Sequence, residues 1–256
     1  MVRRTLLATC LALTAYAATP WQAAVAGEFK KPRAVIELFS SQGCAASPPA
    51  NDNLAALSND PELIVLSLNV DYWNYLGWKD SLAKPAFAKR QKAYGAARGD
   101  RQIYTPQAVI NGRVQVLGNH ERKLLDALAK AKKDPDALSL PVELTDMGDR
   151  IGITLSRYEV GTTDRPAQIW AFWTRHEVSV RIEAGENAGK TVTYRNAVRG
   201  FEKLGDVQPE RADPLSVQKS SAPPDADGLV IIVQAATKDG PGVIYGAAKL
   251  NLNGER

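Results

Sequence analysis

From residue 34 to residue 39 every position except Glu37 is apolar, and the run ends in the small polar residues Ser40, Ser41, Gln42 and Gly43. An apolar run of that length with a single interruption, closed by a turn signal, predicts a strand buried on both faces. Ser47 and Pro48 then mark a helix start, with Leu54 and Leu57 on one face through about Ser58. Residues 62–70 repeat the apolar strand pattern, so the two runs read as the parallel pair of a β-α-β unit. A helix over residues 81–97, a hairpin turning at Asn111-Gly112 and a helix over residues 121–132 with Leu124, Leu125 and Leu128 on one face complete a β-α-β-α-β-β-α order. Lys132 to Asp136 breaks the pattern. Beyond it come short alternating runs at residues 140–144, 151–156, 167–174, 179–184, 192–198, 229–236 and 243–250, with a long polar loop over residues 208–227. The expectation is an α/β domain over residues 27–135 followed by a separate β-rich, sandwich-like domain over residues 136–256.

The amino terminus changes this picture. Arg3 and Arg4, the apolar residues 6–18 and the small residues Ala24-Val25-Ala26 form the pattern of a signal peptide over residues 1–26, which predicts an exported protein, periplasmic or secreted. The apolar run is too short for a membrane anchor, so no integral membrane segment is expected after cleavage. Cleavage would remove Arg3, Arg4 and no acidic residue, lowering the formal charge from +4 to +2. A balance so near neutral does not call for nucleic acid. Cleavage also removes Cys10 and leaves Cys44 as the single thiol in a compartment that oxidises thiols. His120 and His176 have no second cysteine to join them, so neither a metal nor a cofactor is expected.

Cys44 lies between the first strand and the first helix, where unpaired backbone N–H groups and the positive end of the helix dipole gather. Such a position suits a nucleophile. The sequence Cys44-Ala45-Ala46-Ser47 is a C-x-x-C spacing whose second sulfur is a hydroxyl, so no disulfide can close within it. The competing reading is a small, buried, inert cysteine. A second landmark, Tyr104-Thr105-Pro106 followed by a short apolar strand, resembles the arrangement of thioredoxin-like folds, in which a cis-proline faces the active cysteine. That resemblance implies a cis Thr105-Pro106 bond, and it places Glu37 near where those folds keep a buried carboxylate able to relay a proton. A strand carboxylate paired with a nearby base is the alternative for Glu37.

The segments Glu37 to Cys44, Val70 to Trp78 and Gly185 to Lys190 resemble the secreted bacterial proteins of the domain of unknown function 1223 family, over nearly all of the mature chain. Members usually carry the full C-x-x-C, and this chain departs from them at Ser47. Tyr72, Trp73, Tyr75 and Trp78 crowd one loop after the second strand, and Tyr72, Trp73 and Trp78 are read as substrate-binding, or equally as the lid of the core. Residues 184–191, Ala-Gly-Glu-Asn-Ala-Gly-Lys-Thr, fit a loose phosphate-binding loop. The β-branched and aromatic residues after them predict a strand where that loop needs a helix, so a turn between strands is expected.

Two functions follow from these residues. One is monothiol exchange: Cys44 attacks protein or small-molecule disulfides, Ser47, Thr105, Pro106 and Glu37 assist, and an external thiol resolves the mixed disulfide. The other is a non-enzymatic binding protein on the same scaffold with a residual cysteine.

Overall fold

In the computed structural model, residues 31–155, 166–207 and 215–253 are described, so residues 1–26, read above as a signal peptide, lie outside them. The chain forms β1 (Ala34–Ser40), α1 (Pro48–Ser58), β2 (Leu63–Asn69), α2 (Pro85–Arg98), β3 (Gln107–Ile110), β4 (Val114–Leu117) and α3 (Glu121–Ala131). It continues with β5 (Val142–Asp146), β6 (Arg150–Leu155), β7 (Ala167–Arg181), β8 (Thr191–Asp206), β9 (Leu215–Gln218), β10 (Gly228–Thr237) and β11 (Gly240–Asn251). The element order of the first half matches the pattern read from the sequence. Asn111 and Gly112 both take positive φ, 49° and 74°, as a tight two-residue hairpin turn requires.

The expected fold class does not hold. Instead of a thioredoxin-like α/β domain followed by a separate β sandwich, the described residues are mostly β, 44% strand against 20% helix. One mixed eight-stranded sheet, β11-β10-β7-β8-β2-β1-β3-β4, runs through both halves of the chain. β2 pairs in parallel with β1 on one edge and with β8 on the other, where Ser67 stands opposite Ala197. The physical reason is edge satisfaction: β2 is buried along its whole length, and a buried strand cannot leave its outer N–H and C=O groups unpaired. Ser67 Oγ adds a bond to the carbonyl of Arg195, 2.8 Å away. Two further expectations change. Residues 167–174 and 179–184 belong largely to one strand, β7, and β9 lies within the stretch read as a polar loop.

Alternation along the strands sorts the core into layers. Val35 and Phe39 of β1 and Val230 and Ile232 of β10 face α2, joined by Phe87, Tyr94 and Phe172. On the opposite face Ile36 and Leu38 meet Leu54 of α1 and Leu124 of α3. Leu229, Ile231 and Val233 on that same face of β10 are covered by the small sheet β5-β6-β9 through Val142, Ile151 and Val217. The outer ends of β7 and β8 leave this core and form a hairpin, which packs Ile182, Val192 and Tyr194 next to its tip against Leu82 and Trp78. That projecting hairpin reaches Cys44.

Candidate functional site

β1 delivers the chain into a tight turn. Cys44 N–H donates to the Ser41 carbonyl at 3.2 Å, Ser47 N–H donates to the Cys44 carbonyl at 3.0 Å, and α1 begins at Pro48. Gly43 is glycine for a steric reason, since a Cβ there would lie 3.1 Å from Trp73 Cβ and 3.2 Å from the Trp73 carbonyl oxygen. Cys44 is only 4% exposed, and its Sγ donates to the carbonyl of Thr105, 3.6 Å away. Thr105-Pro106 is a cis bond. Cys44 and the Thr105-Pro106 pair therefore meet, as their resemblance implied.

The other residues singled out from the sequence fall into two groups. Ser47 is buried in the same turn, but its hydroxyl neither caps α1 nor bonds the sulfur; it accepts from Ser41 N–H at 3.2 Å and so braces the turn. Trp73 Nε1 donates to Thr105 Oγ1 at 2.7 Å, and Trp78 Nε1 donates to Gln42 Oε1 at 2.8 Å. Tyr72 donates to Gln91 Oε1 at 3.2 Å, and Gln91 Nε2 in turn holds the Tyr104 carbonyl at 2.8 Å. Burial pushes the Tyr72 hydroxyl up to about 12, and the nearby Cys44 adds to the rise. These aromatics are half-buried braces of the cysteine's surroundings, whereas Tyr75, at 79% exposure, points outward.

Glu37 stands apart. It is fully buried on the α2 face, where Arg90 Nε donates to Oε1 at 2.5 Å and Arg90 Nη2 to Oε2 at 3.0 Å, with the Tyr94 hydroxyl also on Oε2. Arg90 Nη2 further reaches Gln234 Oε1 of β10 at 2.9 Å. Burial pushes the Tyr94 hydroxyl far up, the Arg90 charge opposing and the Glu37 charge reinforcing it, so the Glu37–Arg90 pair is joined by a neutral phenol. The paired-carboxylate alternative describes this geometry, and Glu37 makes no hydrogen bond to Cys44.

Two residues at the site were not singled out by the sequence as part of it, although one lies in the marked 184–191 segment. Asp80, buried in the loop after β2, accepts from Gln42 N–H at 2.8 Å, Asn69 Nδ2 at 2.9 Å, Leu82 N–H at 2.9 Å and Ala83 N–H at 3.1 Å. Burial holds its carboxyl above the ordinary range in spite of those four donors. Asn187, fully buried at the tip of the β7–β8 hairpin, donates through Nδ2 to both the Gln42 and the Cys44 carbonyls, each at 2.9 Å. Lys190 Nζ bonds Asn187 Oδ1 at 2.9 Å, and Glu186 Oε2 accepts from Ala45 N–H at 3.3 Å. The segment that looked like a phosphate loop is thus a turn between two strands, with Gly185 and Gly189 at positive φ, and it clamps the cysteine turn from outside. Its 184–191 pattern marked the segment, but only the fold shows where it goes.

Among the described residues no cluster of three or more His, Cys, Asp or Glu is placed to hold a metal ion. Among the same residues no helix is long and apolar enough to cross a membrane.

A single-cysteine site clamped by a distant hairpin, on a mixed eight-stranded sheet, defines the structural class. The chain belongs to the family of proteins of unknown function DUF1223, which matches residues 35–234. It is similar in structure to protein AGR_C_4864 from Agrobacterium tumefaciens, with 32% identity, 88% of this chain and 96% of that one covered, and a TM-score of 0.75. HBP35 of Porphyromonas gingivalis shares the fold at 14% identity, with 89% and 77% of the two chains covered and a TM-score of 0.59. No curated protein matches the sequence.

Proposed function

We propose that the protein carries out single-thiol chemistry at Cys44, in the exported setting that its amino-terminal sequence pattern implies. The observation that carries this reading is the mounting of Cys44: its backbone is fixed by Asn187, its turn by Asp80 and Ser47, and its sulfur faces Thr105. Polar contacts from three distant parts of the chain, Asp80, Thr105 and Asn187, to one short turn support positioning of a reactive atom more than simple burial. In the reaction the Cys44 sulfur attacks a disulfide R–S–S–R′, forming Cys44–S–S–R and releasing R′–S⁻, which takes up a proton. With Ser47 in place of a second sulfur, release falls to an external thiol such as glutathione, which displaces Cys44 and leaves with R as a new disulfide. Electrons pass from the external thiol to the original disulfide, and Cys44 is regenerated.

A second reading has one observation in its favour. The sulfur is nearly enclosed and its S–H is donated to a backbone carbonyl, as suits a residual cysteine in a binding scaffold. Folded protein purified without reductant and incubated with glutathione disulfide separates the two. Single-thiol chemistry gives a reducible adduct on Cys44, absent from Cys44→Ser, and Ser47→Cys lowers its steady-state level and raises dithiol turnover. Adduct formation only after unfolding would replace this reading with the scaffold one.

A further inference from the structure

A second concave site lies on the α2 face of the sheet, built by residues that play no part at Cys44. A cleft of about 580 Å³ opens between α2 and the β10–β11 turn, with β7 and β8 as its floor. That volume falls within the roughly 300–1,000 Å³ typical of small-molecule sites. Its apolar walls are the half-buried rings of Trp170 and Phe201, whose centroids are 5.7 Å apart and tilted by 59°, with Ala86 opposite on α2. Phe201 is backed by Phe172, stacked at 5.1 Å, and by Phe87 at 6.1 Å, so this wall is anchored in the core. The β10–β11 turn is fixed as well. Gly240 sits so close to α2 that a Cβ would come within 2.5 Å of the Ala93 carbonyl oxygen, at a φ of 147°.

The polar groups are few and mostly of one sign. Arg90, 6% exposed, lines the cleft; its four hydrogen bonds leave from Nε and Nη2, and Nη1 makes none of them. Lys89 and Lys238 stand exposed at the rim with no ion-pair partner among the described residues, against the single carboxylate of Asp239. A half-buried aromatic wall beside one donor of a buried guanidinium, under a rim with excess positive charge, is complementary to a flat apolar body bearing an anionic group.

We infer that this cleft binds a small aromatic carboxylate or a molecule of the same chemistry, seating its ring against Trp170 and Phe201 and its anionic group toward Arg90 Nη1 and the two rim lysines. The inference is independent of the reading of Cys44. The test is calorimetric titration of the full chain with 2-naphthoate and with its uncharged counterpart 2-naphthamide. Saturable naphthoate binding is expected, tighter than that of the amide. Lys89→Glu with Lys238→Glu should weaken the naphthoate by about tenfold, the scale of a few rim charge contacts, and leave the amide nearly unchanged. Ala86→Trp, on an exposed helical position, should fill the cleft and abolish both. The proposal is overturned if naphthoate does not saturate, if the amide binds as tightly, or if Ala86→Trp leaves binding intact. Thermal melts of each variant identify any that fail to fold, in which case Ala86→Phe serves as the filling variant.

Discussion

Two polar networks begin within a few residues of each other on β1 and its following turn, and both tie the first half of the chain to the second. Glu37 joins Arg90, Tyr94 and Gln234, a charged cluster sealed between the sheet and α2. Cys44 lies in a frame of side-chain amides, backbone groups and one buried carboxyl, set by Gln42, Asn187 and Asp80 on loops. The first network fills both oxygens of Glu37, leaves Arg90 Nη1 outside it and makes no bond to Cys44. The second converges on one sulfur. Long-range polar contact alone therefore does not mark a functional site; what distinguishes the Cys44 frame is that its bonds fix the turn that carries a thiol, whose one hydrogen bond goes to the Thr105 carbonyl.

The largest effect should come from breaking the charged network. Glu37→Ala strands a buried guanidinium, and removing one partner of a buried pair costs about 3–5 kcal/mol. Urea unfolding should show that loss in Glu37→Ala and Arg90→Ala alike, while the apolar pair Glu37→Leu with Arg90→Met should recover most of it. If the comparison between the networks is right, none of these variants changes the alkylation rate of Cys44 in the folded protein. A Cys44 rate that follows Glu37 would assign the two networks to one site.

Asn187→Ala should do the reverse. It removes the donor to the Gln42 and Cys44 carbonyls, at a cost of about 1–3 kcal/mol for buried groups left unsatisfied. Because the loss falls on a loop, it should appear chiefly as local opening, raising Cys44 alkylation by about tenfold under native conditions. Iodoacetamide labelling followed by mass spectrometry measures this, and Asn187→Asp, which keeps the Lys190 contact but not the donor, should behave like the alanine variant. An unchanged labelling rate in both would show that the hairpin tip does not position the cysteine.

The same contrast explains what could be read from the sequence. Glu37 stood out as the one charge in an apolar run, and the apolar runs themselves located β1 and β2. Cys44 and Thr105-Pro106 stood out by residue type. Asn187, Gln42 and Asp80 are ordinary polar residues, informative only once the fold brings them together across as many as 145 positions. The continuous sheet was hidden for a related reason. A strand buried on both faces, such as β2, announces its burial but not its neighbours, and the β2–β8 seam rests on the register of Ser67 against Ala197. The exposed outer half of β7, where Arg175, His176 and Glu177 interrupt the apolar run, looked like the end of a strand; it is the arm that carries Asn187 to the site.

The smallest effect sharpens the account of the Cys44 frame by its sign. Asp80 is an anion surrounded by donors, yet burial outweighs those bonds and leaves its folded-state pKa above the ordinary 3.8. The folded protein therefore takes up this proton at higher pH than the unfolded chain, and the ionisation penalty is present in full above the folded pKa. It is relieved as pH falls through that value and is gone below 3.8, so Asp80's contribution to stability rises on acidification, opposite to the usual salt-bridged aspartate. Tyr194, whose hydroxyl is pushed up by burial and then by the Asp80 charge, stays protonated throughout this window and does not compete. Urea midpoints of the wild type and Asp80→Asn, compared from neutral pH down toward 3.8, isolate the contribution because other carboxylates cancel in the difference. The advantage of the wild type should grow as pH falls. A gap that narrows instead would mean that the four hydrogen bonds outweigh burial and that the loop holds Asp80 as a stabilised anion.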